Sequence, residues 1–122
     1  MIVVTGATGH IGNVLIRELV SKGERLRAIV PPFEDISSIK AFDLEIVEGD
    51  VRDYKSLIKA FNGAEYVYHL AGIISISSER NRLLREVNVE GTKNVVEACI
   101  QSKIKRLVYV SSIHAFEEPP FG

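Results

Sequence analysis

The sequence predicts an α/β fold, a doubly wound parallel sheet with helices on both faces, and three observations carry that expectation. Short β-rich runs alternate with helical patterns along all 122 residues. The connections between successive β-rich runs are long enough for the crossovers that parallel neighbours require. The runs themselves are apolar nearly throughout, as strands covered on both faces are.

Each element follows from its residues. "IVVT" (2–5), "RLRAIV" (25–30), "LEIV" (44–47), "EYVYHLA" (65–71) and "RLVYVSS" (106–112) are rich in Val, Ile and Tyr and lie beside glycine or polar breakers, which predicts five strands. After the first strand, Ile11, Val14, Leu15, Leu19 and Val20 recur at helical spacing, and Gly23 stands where a helix would stop. "DYKSLIKAFNG" predicts a short helix capped by Asp53, buried through Leu57, Ile58 and Phe61 and ended by Asn62-Gly63. Residues 79–102 predict the longest helix, with Leu83, Leu84, Val87, Val95 and Cys99 inward and no apolar outer face. Pro31-Pro32 break the chain before a short helix expected around 36–42. The tail "EEPPFG" stops where a sixth strand is expected, so the chain reads as one domain truncated after its fifth strand. An unpaired last edge of that kind predicts self-association, hence a possible homo-oligomer.

Composition narrows the partners. Fifteen Lys and Arg against sixteen Asp and Glu leave no basic surplus, which argues against nucleic acid or an anionic membrane surface. The start "MIVVTGATG" is no signal peptide, and "YVYHLAGIISI" is interrupted by His69 and Ser75 and too short to span a bilayer. The lone Cys99 excludes an internal disulfide and favours a reducing compartment, so a cytoplasmic domain is expected. His10, His69 and His114 are far apart and lack a carboxylate or cysteine at ligand spacing, so no metal site is predicted. His69 reads as a satisfied core histidine and Cys99 as a core residue.

The stretch "VVTGATGHIG" (3–12) places Gly6, Gly9 and Gly12 where a strand turns into a helix. One glycine can supply the backbone angle of a tight turn, another can clear the main chain for a ligand, and a third can let the helix pack close. Helix-start N–H groups and the helix dipole suit a pyrophosphate there. Read alone, the same glycines also fit a turn with no ligand. The absence of a following Lys-Ser/Thr pair excludes the usual nucleoside-triphosphate loop.

"TGATGHIG" (5–12), "GDVRD" (49–53), "HLAG" (69–72), "VNVEGT" (87–92) and "LVYVSSIHAF" (107–116) follow one another in this order. Together they resemble the extended short-chain dehydrogenase/reductase family, nearest its dihydroflavonol-reductase-like and hydroxysteroid-dehydrogenase-like branches. The likeness runs the length of the chain but covers only the amino-terminal part of such proteins. It implies a Rossmann-like sheet in strand order 3-2-1-4-5 and a dinucleotide-binding domain over residues 1–122. It implies further that Gly6, Gly9 and Gly12 form the turn while His10 and Ile11 offer backbone N–H groups to the pyrophosphate. Asp50 would accept from the adenine amino group beside the Val51 backbone, and Leu70, Ala71 and Gly72 would line the ribose and nicotinamide. Without the other motifs, Asp50 would read as a cap or turn residue.

In that family a Ser, a Tyr and a Lys, helped by an Asn, handle the proton while the cofactor carries the hydride. Ser112 matches the serine and Asn88 the asparagine; unaided, Ser112 reads as a strand-end residue and Asn88 as a helix packing position. Tyr54, Tyr66, Tyr68 and Tyr109 are followed four places on by Ile58, Leu70, Gly72 and Ile113, so no Tyr-x-x-x-Lys pair is present. The 122 residues alone are therefore expected to be inactive, within a parent reductase, epimerase or dehydratase acting on a small-molecule secondary alcohol or ketone. A non-catalytic dinucleotide-binding redox sensor or regulator is the alternative, and a structural α/β protein with an empty turn a third. The cofactor is NAD or NADP. Val30, Pro31 and Pro32 stand where an acidic residue or an arginine would choose between them; the missing arginine favours NAD, with Glu34 or Asp35 near the ribose or Lys40 near a phosphate.

Overall fold

The computed structural model describes residues 1–70 and 78–110, without the side chains of His10, residues 78–88 and Val110. Five strands, β1 (Ile2–Thr5), β2 (Leu26–Val30), β3 (Glu45–Glu48), β4 (Tyr66–Leu70) and β5 (Arg106–Val110), form one sheet in the order β3-β2-β1-β4-β5. Every neighbouring pair is parallel. This is the expected Rossmann-like arrangement. The chain starts in the middle, steps outward twice to β3, then crosses back to β4, so a topological switch lies between the carboxyl ends of β1 and β4.

Three helices cover the sheet: α1 (His10–Ser21), α2 (Tyr54–Ala60) and α3 (Ser78–Gln101). Alternation along the strands sends Ile2, Val4, Leu26, Ala28 and Val30 to one face, against Ile16 of α1 and Ile39 of the β2–β3 connection. It sends Val3, Ile29 and Val67 to the other, against Leu57, Ala60 and Phe61 at α2 and Val95, Ala98 and Cys99 of α3. Central β1 is buried at every residue. Edge strand β3 has no such cover: Glu45, Ile46 and Glu48 are exposed, so the expectation of strands buried on both faces fails there.

Three helical expectations need correction. Ile11 and Val14 are 41% and 50% exposed, while Ile16 is fully buried. The inward stripe of α1 is Gly12, Leu15, Ile16, Leu19 and Val20, because Gly12 turns the helix's closest side to the preceding turn. Residues 36–42 make successive turns rather than a helix; only Lys40 N–H reaches four residues back, to the Ile36 carbonyl at 2.9 Å. Asp53 is the N-cap of α2 but makes no side-chain cap bond. Ser56 ties that entry instead, its hydroxyl lying 3.1 Å from the Asp50 N–H and 2.8 Å from the Asp53 carbonyl.

Helix α3 also presents Val89, Val96 and Ile100 to the exterior on one face, contrary to the expectation of no apolar outer face. The inward positions Val95 and Cys99 are buried as expected; Leu83, Leu84 and Val87 lie outside the described side chains. α3 stops with Lys103 in the left-handed region at φ 58°, where Ile104 N–H closes back on the Cys99 carbonyl. No helix among the described residues is long and apolar enough to cross a membrane.

Arg27 fastens the β3 side of the sheet. Its Nε donates to Glu45 Oε1 at 3.0 Å, and its Nη1 donates to the Ala60 and Asn62 carbonyls at 2.6 and 2.9 Å. The last two are carbonyls at the negative end of α2, so the cation meets both the helix dipole and a strand partner. Arg27→Met keeps the aliphatic stem and removes the donors. It should lower stability by about 2 kcal/mol, the scale of hydrogen bonds to a charged group, in urea unfolding followed by circular dichroism.

Candidate functional site

The glycines of the first turn divide the labour that such a turn requires. Gly6 has φ 70°, and a Cβ there would strike the Leu70 carbonyl oxygen of the neighbouring strand. It supplies the unusual backbone angle and lets β1 and β4 end side by side. A Cβ on Gly12 would lie 2.5 Å from the Ala7 carbonyl oxygen and 2.6 Å from that of Gly6, so this glycine lets α1 settle onto the turn. Gly9 differs: among the described residues a Cβ there would meet only the Gly6 oxygen, at 3.7 Å. Its missing side chain serves no packing purpose within the described residues and leaves the main chain approachable.

The head of α1 carries the donors. The first bond of its ladder runs from Asn13 N–H to the Gly9 carbonyl at 3.0 Å, so the N–H groups of His10, Ile11 and Gly12 lie ahead of it. α1 has no acidic residue in its first turn to neutralise the dipole. The arrangement can hold an anion through main-chain groups alone.

The segment after β2 folds over this turn. Thr8 Oγ1 donates to Glu34 Oε2 at 2.6 Å, Ser38 Oγ donates to the Thr8 carbonyl at 3.4 Å, and Asn13 Nδ2 donates to the Ser38 carbonyl at 2.7 Å. Asp35 turns away, accepting from Ser37 N–H at 2.9 Å, and this bond holds its carboxyl below the ordinary range. Of the two acidic residues raised from the sequence, Glu34 is the one beside the glycine turn. Nothing in residue spacing announces the contact, because it spans a connection without regular structure.

Asp50 and Val51 follow β3 at the same carboxyl edge. Asp50 Oδ1 accepts from the Arg52 N–H at 2.9 Å and its Nε at 3.2 Å, and Oδ2 accepts from Nη2 at 2.8 Å. The Arg52 guanidinium holds the carboxyl below its usual range. Among the described residues nothing accepts from the Val51 N–H.

His69, near the end of β4, is 5% exposed and satisfied on both ring nitrogens. Nδ1 shares a hydrogen bond with Thr5 Oγ1 at 2.6 Å, and Nε2 shares one with Thr92 Oγ1 at 2.9 Å. Burial lowers its pKa to about 4, so the ring is neutral at pH 7 and bridges β1, β4 and α3. The reading of a satisfied core histidine holds. Cys99 is buried too, and burial raises its thiol to about 11, far from a thiolate nucleophile at neutral pH.

The structure thus gathers Gly6, Gly9, Ile11, Gly12 and Leu70 at the β1–β4 switch and sets Asp50 and Val51 along the same edge. Asn88 lies on α3 one turn before Thr92, and His10 opens α1; both side chains fall outside the description. Ala71, Gly72 and Ser112 lie outside the described residues.

Known proteins share this pattern. The family model described as the 3-beta hydroxysteroid dehydrogenase/isomerase family matches residues 3–119. Sterol demethylase protein B of Methylococcus capsulatus is 36% identical over 98% of this chain and 36% of its own length. The Citrobacter triphenylmethane reductase, solved in complex with NADP(H), superposes with a TM-score of 0.72 at 31% identity, over 96% of this chain and 39% of that one. A short-chain dehydrogenase/reductase superfamily protein of Agrobacterium tumefaciens, solved with bound NAD, gives 0.77 at 28% identity, over 98% and 35%. The chain therefore spans roughly a third of the length of such relatives. The glycine turn, the parallel sheet and these matches agree: the chain belongs to the 3-beta hydroxysteroid dehydrogenase/isomerase family, within the short-chain dehydrogenases/reductases.

Proposed function

We propose that residues 1–122 form the dinucleotide-binding domain of an oxidoreductase that moves a hydride at a secondary alcohol or ketone carbon. The observation that carries this reading is the turn at Gly9. It is open to approach, backed by three main-chain donors ahead of the α1 ladder, and sits at the sheet's switch point. A turn built only for packing would bring a described neighbour closer to its middle glycine than the Gly6 oxygen at 3.7 Å. The relatives' names point to a sterol-like substrate, and the chain spans about a third of those relatives' length.

In this reading the N–H groups of His10, Ile11 and Gly12 hold the pyrophosphate, with no side chain at Gly9 in the way. Asp50 accepts from the adenine amino group and Val51 N–H donates to the ring. Leu70, Ala71 and Gly72 line the ribose and nicotinamide. A bound nicotinamide supplies or accepts the hydride. Asn88 and Ser112 orient the reacting oxygen. No Tyr-x-x-x-Lys pair occurs in the sequence, so these residues bind and orient while the proton-transfer pair of the family is not among them.

The reading favours NAD over NADP. Glu34 places a carboxylate on the glycine turn through Thr8, and a 2′-phosphate entering there would meet a like charge. NADH titrated against the full chain should gain fluorescence and bind more tightly than NADPH, with ADP-ribose competing. Glu34→Gln should shift the NADH/NADPH preference by about tenfold toward NADPH. A chain that binds neither nucleotide would sink the proposal; an unchanged ratio in Glu34→Gln would remove the role of Glu34 alone.

A further inference from the structure

Helix α3 grips the turn after β3 through a residue with no assigned part in the site. Asn94 Nδ2 donates to the Val51 carbonyl at 2.9 Å. The other end of that same peptide unit, the Arg52 N–H, donates to Asp50 Oδ1 at 2.9 Å. A peptide unit is planar and stiff, so its carbonyl and its N–H cannot be redirected separately. One amide plane therefore links the Asn94 side chain to the Asp50 carboxylate.

The helix is close enough for this grip because of a missing side chain. A Cβ on Gly91 would lie 2.6 Å from Val51 Cγ2, so α3 rests directly on the turn at the position three residues before Asn94. The preceding peptide is held by different groups: the Asp50 carbonyl accepts from Asp53 N–H at 2.8 Å and from Ser56 Oγ at 3.1 Å. That leaves Asn94 as the group from outside the turn that sets the Val51–Arg52 plane, among the described residues.

We propose that Asn94 is a positioning residue for recognition of the nucleobase: by fixing the Val51–Arg52 peptide plane it sets, together with the Arg52 guanidinium that bonds both carboxylate oxygens, the direction in which Asp50 accepts. This rests on the assignment of Asp50 to the adenine amino group. The ligand feature it governs is the exocyclic amine, which the carboxylate accepts from; a base with an oxo group at that place presents an acceptor to an acceptor.

The test compares NADH with its deamino analogue, which carries hypoxanthine in place of adenine, by fluorescence titration of the full chain. The wild-type chain should prefer NADH. Asn94→Leu keeps the branched shape and loses the donor, and should shrink that preference by about tenfold. Asn94→Asp sets an acceptor against the Val51 carbonyl and should shrink it at least as far. Asn94→His retains an N–H at similar reach and should restore it. A merely structural asparagine would lower the melting temperature in Asn94→Leu without moving the ratio of the two affinities. An Asn94→Leu chain, or a folded Asn94→Asp chain, that keeps the wild-type ratio overturns the proposal alone. A wild-type chain that binds both nucleotides equally overturns the adenine assignment and this proposal with it.

Discussion

Alanine at Gly12 should cost the fold about 3 kcal/mol, while valine at Gly9, the N-cap of α1, should cost about 1 kcal/mol or less and weaken NADH binding by about tenfold or more. The contrast follows from what each new side chain would touch. At Gly12 the nearest atoms are the Ala7 carbonyl oxygen and carbon and the Gly6 carbonyl oxygen, all within 2.7 Å. They are main-chain atoms of a turn locked between β1 and α1, so relief requires moving the helix off the sheet. Alanine at Gly6 should be comparably damaging for two reasons. A φ of 70° strains any L side chain, and the Leu70 carbonyl blocks the space. Gly9 has neither problem. Its φ of −76° and ψ of 177° are extended backbone that any residue adopts, and its nearest neighbour among the described residues is 3.7 Å away. Urea unfolding of Gly12→Ala and Gly9→Val beside NADH titration of Gly9→Val separates the two effects. Unchanged NADH affinity in Gly9→Val would remove the glycine turn from the binding site and with it the proposed function.

These three glycines were legible in the sequence as a set, yet which of them packs and which stays open was not. That depends on Leu70, 64 residues from Gly6, and on where the Ala7 carbonyl points. The same limit explains the other differences. Strands such as "IVVT" were readable because a central parallel strand is apolar on both faces, a purely local property. "EIVE" kept its strand character but not its cover, since an edge position is decided by strand order. In α1 the spacing of Ile11 and Val14 mimics an inward stripe, while the true contact, Ile16, is selected by Gly12 sitting against the turn. The Thr8–Glu34 bond and the Asn94 grip join segments 26 and 43 residues apart, and no period in the chain records either. Site geometry is therefore the layer that local pattern reaches last.

Acidifying the chain from pH 7 to about pH 4 should remove about 3 kcal/mol of stability through His69 alone. Burial lowers this imidazole to about 4 in the folded chain, against about 6.5 in an unfolded one. Between those values the unfolded chain holds a proton that the folded chain lacks. Stability therefore rises with pH across the window; it is fully present above about 6.5 and lost as pH falls towards 4. The hydrogen bonds are not the cause of this loss, since the Thr5 and Thr92 hydroxyls can each accept from a protonated ring. The cost is that of a charge in a site 5% exposed. Asp35 and Asp50 have lowered carboxyls, so their contributions fade only at the bottom of the window and below, and they are common to any His69 variant. His69→Gln offers an uncharged amide in place of the ring. It should be less stable than wild type at pH 7, yet its urea midpoint should change far less between pH 7 and pH 4.5. The wild-type slope minus the variant slope isolates the histidine. A His69 resonance titrating near 6.5 in the folded chain, followed by NMR, would mean that α3 does not seal β4 as the Thr5–His69–Thr92 bridge requires.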